Sequence, residues 1–499
     1  MENIKKQYQE AIKYFINKKI FISIVILITI LSFGFAVTNS SVGMDDTAFD
    51  RYYQDKEMLA IGRWGSYLVY QILNITEFIP FWIDFIASSI IMLTAVLWCI
   101  FLKKNLEDKL SITAYIIFAS IFISFPIINE IFIFQNCNIA VMLGSLLASI
   151  GIMLVYENFS NIHKKSIYIY SALILTLGIS MYEACAQIVL VSILIIAFLI
   201  MYKNGDKRNK NIFKYIFIAL GVFIFAIILN SIIVKLICLL VVNASNVAEK
   251  QISWGENSLS ESLALLIIYI VDAITNVKYF PVLIFDISAV IGLIVALVQS
   301  YKKQNFMILF LYTCMLLSNF AISMLQLKMV LYRTCTSWSL FVAAIIMVTY
   351  NYLKNNKITK VISSGFIIIL ILQQTKYLNQ MFYNDYIRYQ KDLHVAYELI
   401  DRLEEFYDIS KPLVITGKPE QGVGDYGAQS NSLSVLWWGV KAFNGNGIEY
   451  IKFLNSLGYD FEVPTDEQYK KGKNETENMN KYPREGSIKE LEDCIVINF

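Results

Sequence analysis

The sequence predicts an all-α polytopic membrane protein of about eleven transmembrane helices, completed by a small α/β domain outside the membrane. Three observations predict it. Of the 499 residues 57% are hydrophobic, and the mean hydropathy is positive, far beyond the composition of an ordinary soluble chain. Apolar runs of about 18 or more residues recur, each long enough to cross the hydrocarbon core as a helix. Beyond Thr375 the runs stop, and a charged helical stripe with two short strand patterns takes over.

The expected spans are 20–38, 80–102, 110–126, 139–156, 166–181, 184–202, 212–234, 281–300, 305–323, 337–353 and 360–375. The first follows a basic stretch (Lys5, Lys6, Lys13, Lys18, Lys19). It reads as an uncleaved span, because Asn39-Ser40-Ser41-Val42-Gly43 makes a poor signal-peptide cleavage site. Alternate loops carry Lys103, Lys104 and Lys109, then Lys164 and Lys165, then Lys203, Lys207, Arg208 and Lys210. Lys302 and Lys303 follow, then Lys354, Lys357 and Lys360. All fall on one side with the N-terminus, so the positive-inside rule places that side in the cytoplasm. An odd number of spans then puts the C-terminal part outside.

Two domains follow from this layout. Residues 1–375 form the transmembrane domain, with outer loops 39–79, 127–138, 235–280 and 324–336, and residues 376–499 form the α/β cap. Amphipathic stretches at Leu59–Leu73 and Leu263–Ile274 are expected as helices on the membrane surface. In the cap, Leu393, Ala396, Tyr397, Ile400 and Leu403 keep helical spacing, while Lys411–Gly417 and Cys494–Phe499 read as strands. Lys470–Gly486 is polar and is expected to be a mobile loop.

A net charge of +2 with no basic stripe argues against nucleic acid as a partner. His163 and His394 stand far apart. The seven cysteines form no CxxC pair, which leaves neither a zinc site nor a disulfide framework.

The outer loops hold the acids: Asp45, Asp46, Asp50, Asp55, Glu57, Glu130, Glu183, Glu249, Glu256 and Glu261. The pair Asp45-Asp46, directly after the first span, is the sharpest signal. A charge beside a membrane is costly and is kept for function or for solvation. An acid-lined cavity at the outer leaflet suits a sugar carried on a polyprenyl phosphate, whose leaving group is already a stable anion. Such a transfer needs a base for the acceptor hydroxyl and cations for the phosphate. Asp45 or Asp46 fits the base. Arg63, Arg333 and Lys328 fit the phosphate clamp. Trp64 can stack on a sugar or anchor the loop; Tyr182, Glu183 and Gln187, set in nearly continuous apolar sequence, are candidates for substrate contact, as are Glu57 and Glu130 more weakly.

These residues resemble the GtrII-like glucosyltransferases of bacterial surface polysaccharides. The resemblance runs through Asp45-Asp46, Gly62-Arg63-Trp64, Phe125-Pro126-Ile127-Ile128-Asn129-Glu130 and Ser180-Met181-Tyr182-Glu183. It continues in Tyr332-Arg333 and the Asn379–Leu403 helix. It implies a multi-pass, GT-C-type enzyme of the bacterial cytoplasmic membrane. That enzyme moves a hexose, typically glucose, from a polyprenyl-phosphate donor to a cell-wall polysaccharide or teichoic-acid-like glycan outside, with inversion. A donor-lipid synthase and a separate flippase would be its partners. Glu183 stands where the family pattern has glutamine, and Asn136 and Asn138 stand where it has an aspartate.

Two other readings stay open. A polysaccharide polymerase or ligase would share the outer-loop placement. A flippase or transporter of lipid-linked saccharides would show charge within the spans and repeated halves, and the sequence reads as having neither. No cofactor is firmly predicted; an aspartate pair leaves Mg²⁺ or Mn²⁺ as an option.

Overall fold

The computed structural model describes residues 2–48, 53–54, 56–75, 79–106, 109–204, 209–242, 252–354, 356–417, 436 and 447–499. Asp50, Asp55, Glu249, Lys207 and Arg208, counted above, lie outside the described residues.

Helix α1 (Glu2–Ile16) is amphipathic and lays Ala11 and Phe15 against the base of a helical bundle. The first long helix, α2 (Lys19–Thr38), leads into a 3₁₀ turn (Met44–Ala48), and α3 (Glu57–Ala60) and α4 (Trp64–Ile72) complete the first loop. The chain continues through α5 (Pro80–Leu106), α6 (Ile112–Ser124), α7 (Asn129–Phe132), α8 (Asn138–Glu157), α9 (Lys165–Met181), α10 (Cys185–Asn204) and α11 (Asn209–Ile237). There follow α12 (Leu259–Thr275), α13 (Phe280–Lys303), α14 (Met307–Ser318), α15 (Ala321–Gln326), α16 (Ser337–Leu353) and α17 (Lys357–Phe406). All of the segments expected to span are helical. Among the described residues eight helices are long and apolar enough to cross a membrane, while α9, α14 and α16 are shorter apolar helices.

Solvent preference sorts the helices. α6, α8, α10 and α16 are buried on nearly all sides, whereas α2, α11, α13 and α17 turn Ile30, Phe217, Ile294 and Ile368 outward. Apolar belts of this extent suit a hydrocarbon solvent, in which helices satisfy their own backbone groups. α8 and α9 approach closely because Gly144 and Gly178 face each other. A Cβ on Gly144 would sit 2.6 Å from the Cys185 sulfur and 2.8 Å from the Gly178 carbonyl oxygen.

The basic loops share one end of the bundle. There Lys104 Nζ lies 2.5 Å from Glu157, Lys303 Nζ donates to the Tyr202 carbonyl, and Lys354 Nζ reaches the Lys109 carbonyl. The acid-bearing loops meet at the other end, where α17 continues into the cap. The cap has α18 (Ile448–Ser456), α19 (Asp466–Glu475), and a three-stranded sheet in the order β1 (Leu413–Thr416), β3 (Ile495–Asn498), β2 (Ile488–Glu490). β1 and β3 run parallel, while β2 and β3 run antiparallel. Leu399, Leu403, Ile415, Phe453 and Ile497 form its core, and Val42 of the first loop is packed into the same cluster.

Three expectations change. The expected domain boundary at 375/376 falls inside one 50-residue helix, because no glycine or proline follows Gly365 before Tyr407. Lys470–Gly486 is not simply a loop. Its first residues belong to α19, which Thr465 and Gln468 start with a reciprocal capping box. The spans also do carry charge: Asp84 lies within α5 and Asp286 within α13.

Gly144→Val should cost about 1–3 kcal/mol by overpacking the α8–α9 contact. Gly221→Ala, whose added Cβ would meet nothing within 4 Å, should leave stability unchanged or raise it. Thermal unfolding midpoints in detergent check both; equal midpoints for Gly144→Val and wild type would remove the close approach as a stabilising contact.

Candidate active site

The site begins with a backbone problem. Residues 133–138 connect α7 to α8 in an irregular path at the mouth of the bundle, and their polar groups need partners there. Asp46 supplies one of them. It is 3% exposed; Oδ1 accepts the Asn136 N–H at 3.1 Å and Oδ2 accepts the Gly43 N–H at 2.9 Å. Asn136 Nδ2 returns a bond to the Asp45 carbonyl at 3.3 Å. Asp84 holds the same connection from below, accepting Asn138 Nδ2 at 2.8 Å and Gln135 Nε2 at 3.1 Å. Tyr53 and Tyr70, stacked at 4.7 Å, donate to the carbonyls of Asn136 and Gln135. The first loop and the 133–138 connection are therefore one fastened unit.

The two neighbouring aspartates part company here. Burial pushes the Asp46 carboxyl up to about 7, against the lowering pull of the backbone N–H groups it accepts. Asp45 is half-buried, at the edge of the site. Each Asp46 oxygen already accepts a backbone N–H. Among the described residues no group of three or more His, Cys, Asp and Glu converges as metal ligands would.

Cations arrive from two further segments. Arg63, at the head of α4, lies over the Tyr182 ring at 4.7 Å and pairs with Glu183 at 3.3 Å. Burial opposes its charge, but Glu183 and Tyr182 outweigh burial and hold the guanidinium protonated. Arg333, on the 3₁₀ turn Tyr332–Thr334, is exposed and lies over the Phe134 ring at 5.4 Å. Cys137 records the convergence. Burial raises its thiol to about 12, Asp45 and Asp46 add to the rise, and Arg63 and Arg333 pull against it. Four ionisable side chains from three segments thus lie within electrostatic reach of one buried sulfur.

The other sequence candidates divide. Gln187 is buried, donates to Ser337 Oγ at 3.0 Å and the Thr334 carbonyl at 3.4 Å, and accepts the Ile322 N–H. It braces the turn that carries Arg333. Glu130 is buried and accepts the Tyr279 hydroxyl at 2.6 Å, while the Tyr279 ring packs on Tyr332 at 4.7 Å. It supports that turn from the other side. Trp64 donates its indole N–H to Asn230 at 2.8 Å, so its polar end anchors α4 to α11. Lys328 is exposed on the loop before Arg333, and Glu57 is half-buried at the start of α3.

Two groups escaped the sequence reading. Asp84 was visible as an acid inside an apolar run. Asp385, Arg388 and Asp392 continue the buried stripe of α17, with Asp385 accepting Asn129 Nδ2 at 3.3 Å and Arg388 donating to the Val42 carbonyl at 3.4 Å. Their spacing of three and four residues on from Leu378 and Met381 was the available signal.

The family model of the glucosyl transferase GtrII matches residues 34–350, which include the first loop, Arg63, Glu183 and Arg333. The chain belongs to the GtrII glucosyl transferase family. No curated protein and no solved structure matches it. As a GtrII family member it is a glycosyltransferase, and its long apolar helices are consistent with a membrane protein.

The Asp46 carboxyl sets a pH dependence. The folded protein keeps its proton to about pH 7, whereas the unfolded chain releases it near the ordinary 3.8. Stability should therefore fall as pH rises from about 4 to about 7 and level off above. Asp46→Asn should flatten that slope, measured as unfolding midpoint against pH; an unchanged slope would assign the titration to another group.

Proposed function

We propose that this GtrII glycosyltransferase moves a hexose, most simply glucose, from a polyprenyl-phosphate donor to a surface glycan at the outer leaflet. The 133–138 connection carries this reading: Asp45 meets it at Asn136 and Arg333 lies over its Phe134 ring. The reading takes all eleven apolar helices as spans, with the basic end cytoplasmic and the cap outside, as the positive-inside rule requires.

Asp45 is the base. As the acceptor oxygen attacks the anomeric carbon, its proton passes to the Asp45 carboxylate. The bond from that carbon to the phosphate oxygen breaks on the opposite face, so the configuration inverts. Charge on the departing polyprenyl phosphate is taken up by Arg333, with Lys328 beside it and Arg63 behind. Glu183 and Tyr182 keep the Arg63 fork in one orientation, which lowers the ordering cost of a bidentate contact. Asp46 acts through the backbone, holding Asp45 against the 133–138 connection. A negative group near an oxocarbenium-like centre also stabilises it. Upstream, a synthase must load the sugar on the lipid and a flippase must turn it outward.

Purified protein incubated with polyprenyl-phosphate glucose and cell-wall glycans should release the lipid phosphate, followed by mass spectrometry. Asp45→Asn should lower the rate at least about 10²-fold while leaving the unfolding midpoint intact. Arg333→Ala should raise the donor KM more than it lowers kcat. Wild-type transfer by Asp45→Asn would remove this residue from the chemistry.

A further inference from the structure

At the basic end of the bundle, far from the aspartates, a cleft of about 520 Å³ opens between α5, α8, α10 and α11, with α1 at its edge. Its floor is a closed network. Glu157 is buried and accepts Lys104 Nζ at 2.5 Å, the Tyr8 hydroxyl at 2.9 Å, and Asn105 Nδ2 and Asn161 Nδ2 at 3.0 Å each. Lys104 neutralises Glu157, and the side chains of both are only 4% exposed. Among the described residues no acid lines the cleft itself, while Lys104, His163 and Lys214 do. Lys164 and Lys165 flank it. With Lys104 paired to Glu157, Lys214 leaves the lining net positive.

One wall group is out of balance. Tyr215 is 1% exposed, and among the described residues its hydroxyl has no hydrogen-bond partner. Its ring is fixed edge-on by Tyr156 at 5.3 Å, so the hydroxyl cannot swing toward another acceptor without breaking that packing. A buried hydroxyl left unpaired costs about 1–3 kcal/mol, and such groups call for a partner that the fold does not itself contain.

We propose that this cleft binds a phosphate group, carried either by the headgroup of an anionic phospholipid or by a soluble phosphate ester. A phosphate offers only acceptor oxygens and negative charge. The cleft offers the donors that match: the Lys214 ammonium, the His163 imidazole, the Asn161 and Asn211 amides, and the Tyr215 hydroxyl. The site is separate from sugar transfer at the other end and stands or falls without it.

Full-length protein in neutral detergent would be titrated with dihexanoyl phosphatidylglycerol, dihexanoyl phosphatidylcholine and glycerol 1-phosphate, following the unfolding midpoint. Phosphatidylglycerol should raise the midpoint in a saturable way, and phosphatidylcholine should raise it less. Tyr215→Phe should leave the unliganded midpoint unchanged or higher, yet weaken binding about tenfold. Lys214→Ala, at an exposed position, should weaken it as well. A shift with the lipid alone assigns the site to a headgroup; a shift with glycerol 1-phosphate too assigns it to the phosphate itself. No shift with either, an equal shift with phosphatidylcholine, or wild-type binding by both variants would overturn the proposal.

Discussion

The constraint on which the proposed catalytic end depends is the satisfaction of one irregular backbone stretch. Ile133, Phe134, Cys137 and Asn138 give their N–H groups to nearby backbone carbonyls, but the buried Asn136 N–H and the carbonyls of Gln135 and Asn136 are held by side chains. An unpaired buried N–H or C=O costs as much as a lost hydrogen bond, so side chains must come to it. Asp46, Asp84, Tyr53 and Tyr70 come to it from four segments. That is why acids are buried here at all. Charge was not placed for its own sake; it was placed to accept backbone and amide N–H groups, and the substrate-facing groups inherit the resulting rigidity.

This division explains a pair that looks redundant. Adjacent residues in a 3₁₀ turn point in different directions, so two identical side chains can meet unlike surroundings. Asp46 turns inward and is consumed by Gly43 and Asn136, while Asp45 stays at the rim. The cations show the same split. Arg63 is clamped by Glu183 and Tyr182, and Arg333 stands exposed on a turn braced by Gln187 and the Glu130–Tyr279–Tyr332 stack. Each exposed group has a buried neighbour that fixes its position.

The apolar segments were legible in the sequence because burial in lipid needs only composition and length. The strands at Leu413–Thr416 and Ile495–Asn498 were legible for a similar reason: short β-branched runs between turn residues. The continuity of α17 was not, since its pattern changes from wholly apolar to one-sided near Thr375 although the backbone does not break. At the site, the residue types and order were readable, but the partnerships were not. Arg63 meets Glu183 across 120 positions and Asp46 meets Asn136 across 90, distances at which no local periodicity survives. Asp84 was overlooked for the opposite reason: a single acid in a long apolar run hardly alters its average.

The long helix links these scales. A helix of 50 residues reaches about 75 Å, more than twice a hydrocarbon core, so α17 is both a wall of the bundle and the stem of the cap. Its upper part carries Leu399 and Leu403 into the cap core, and about three turns lower Arg388 holds the Val42 carbonyl. Val42 itself packs in that core and is followed directly by Gly43, whose N–H is bonded to Asp46. Among the described residues the contacts run from the cap to Asp46 without a break. A cap that shifted on the stem would drag Val42, lengthen the Gly43–Asp46 bond and release the turn that presents Asp45. The packing of the sheet is part of what keeps the aspartate turn in place.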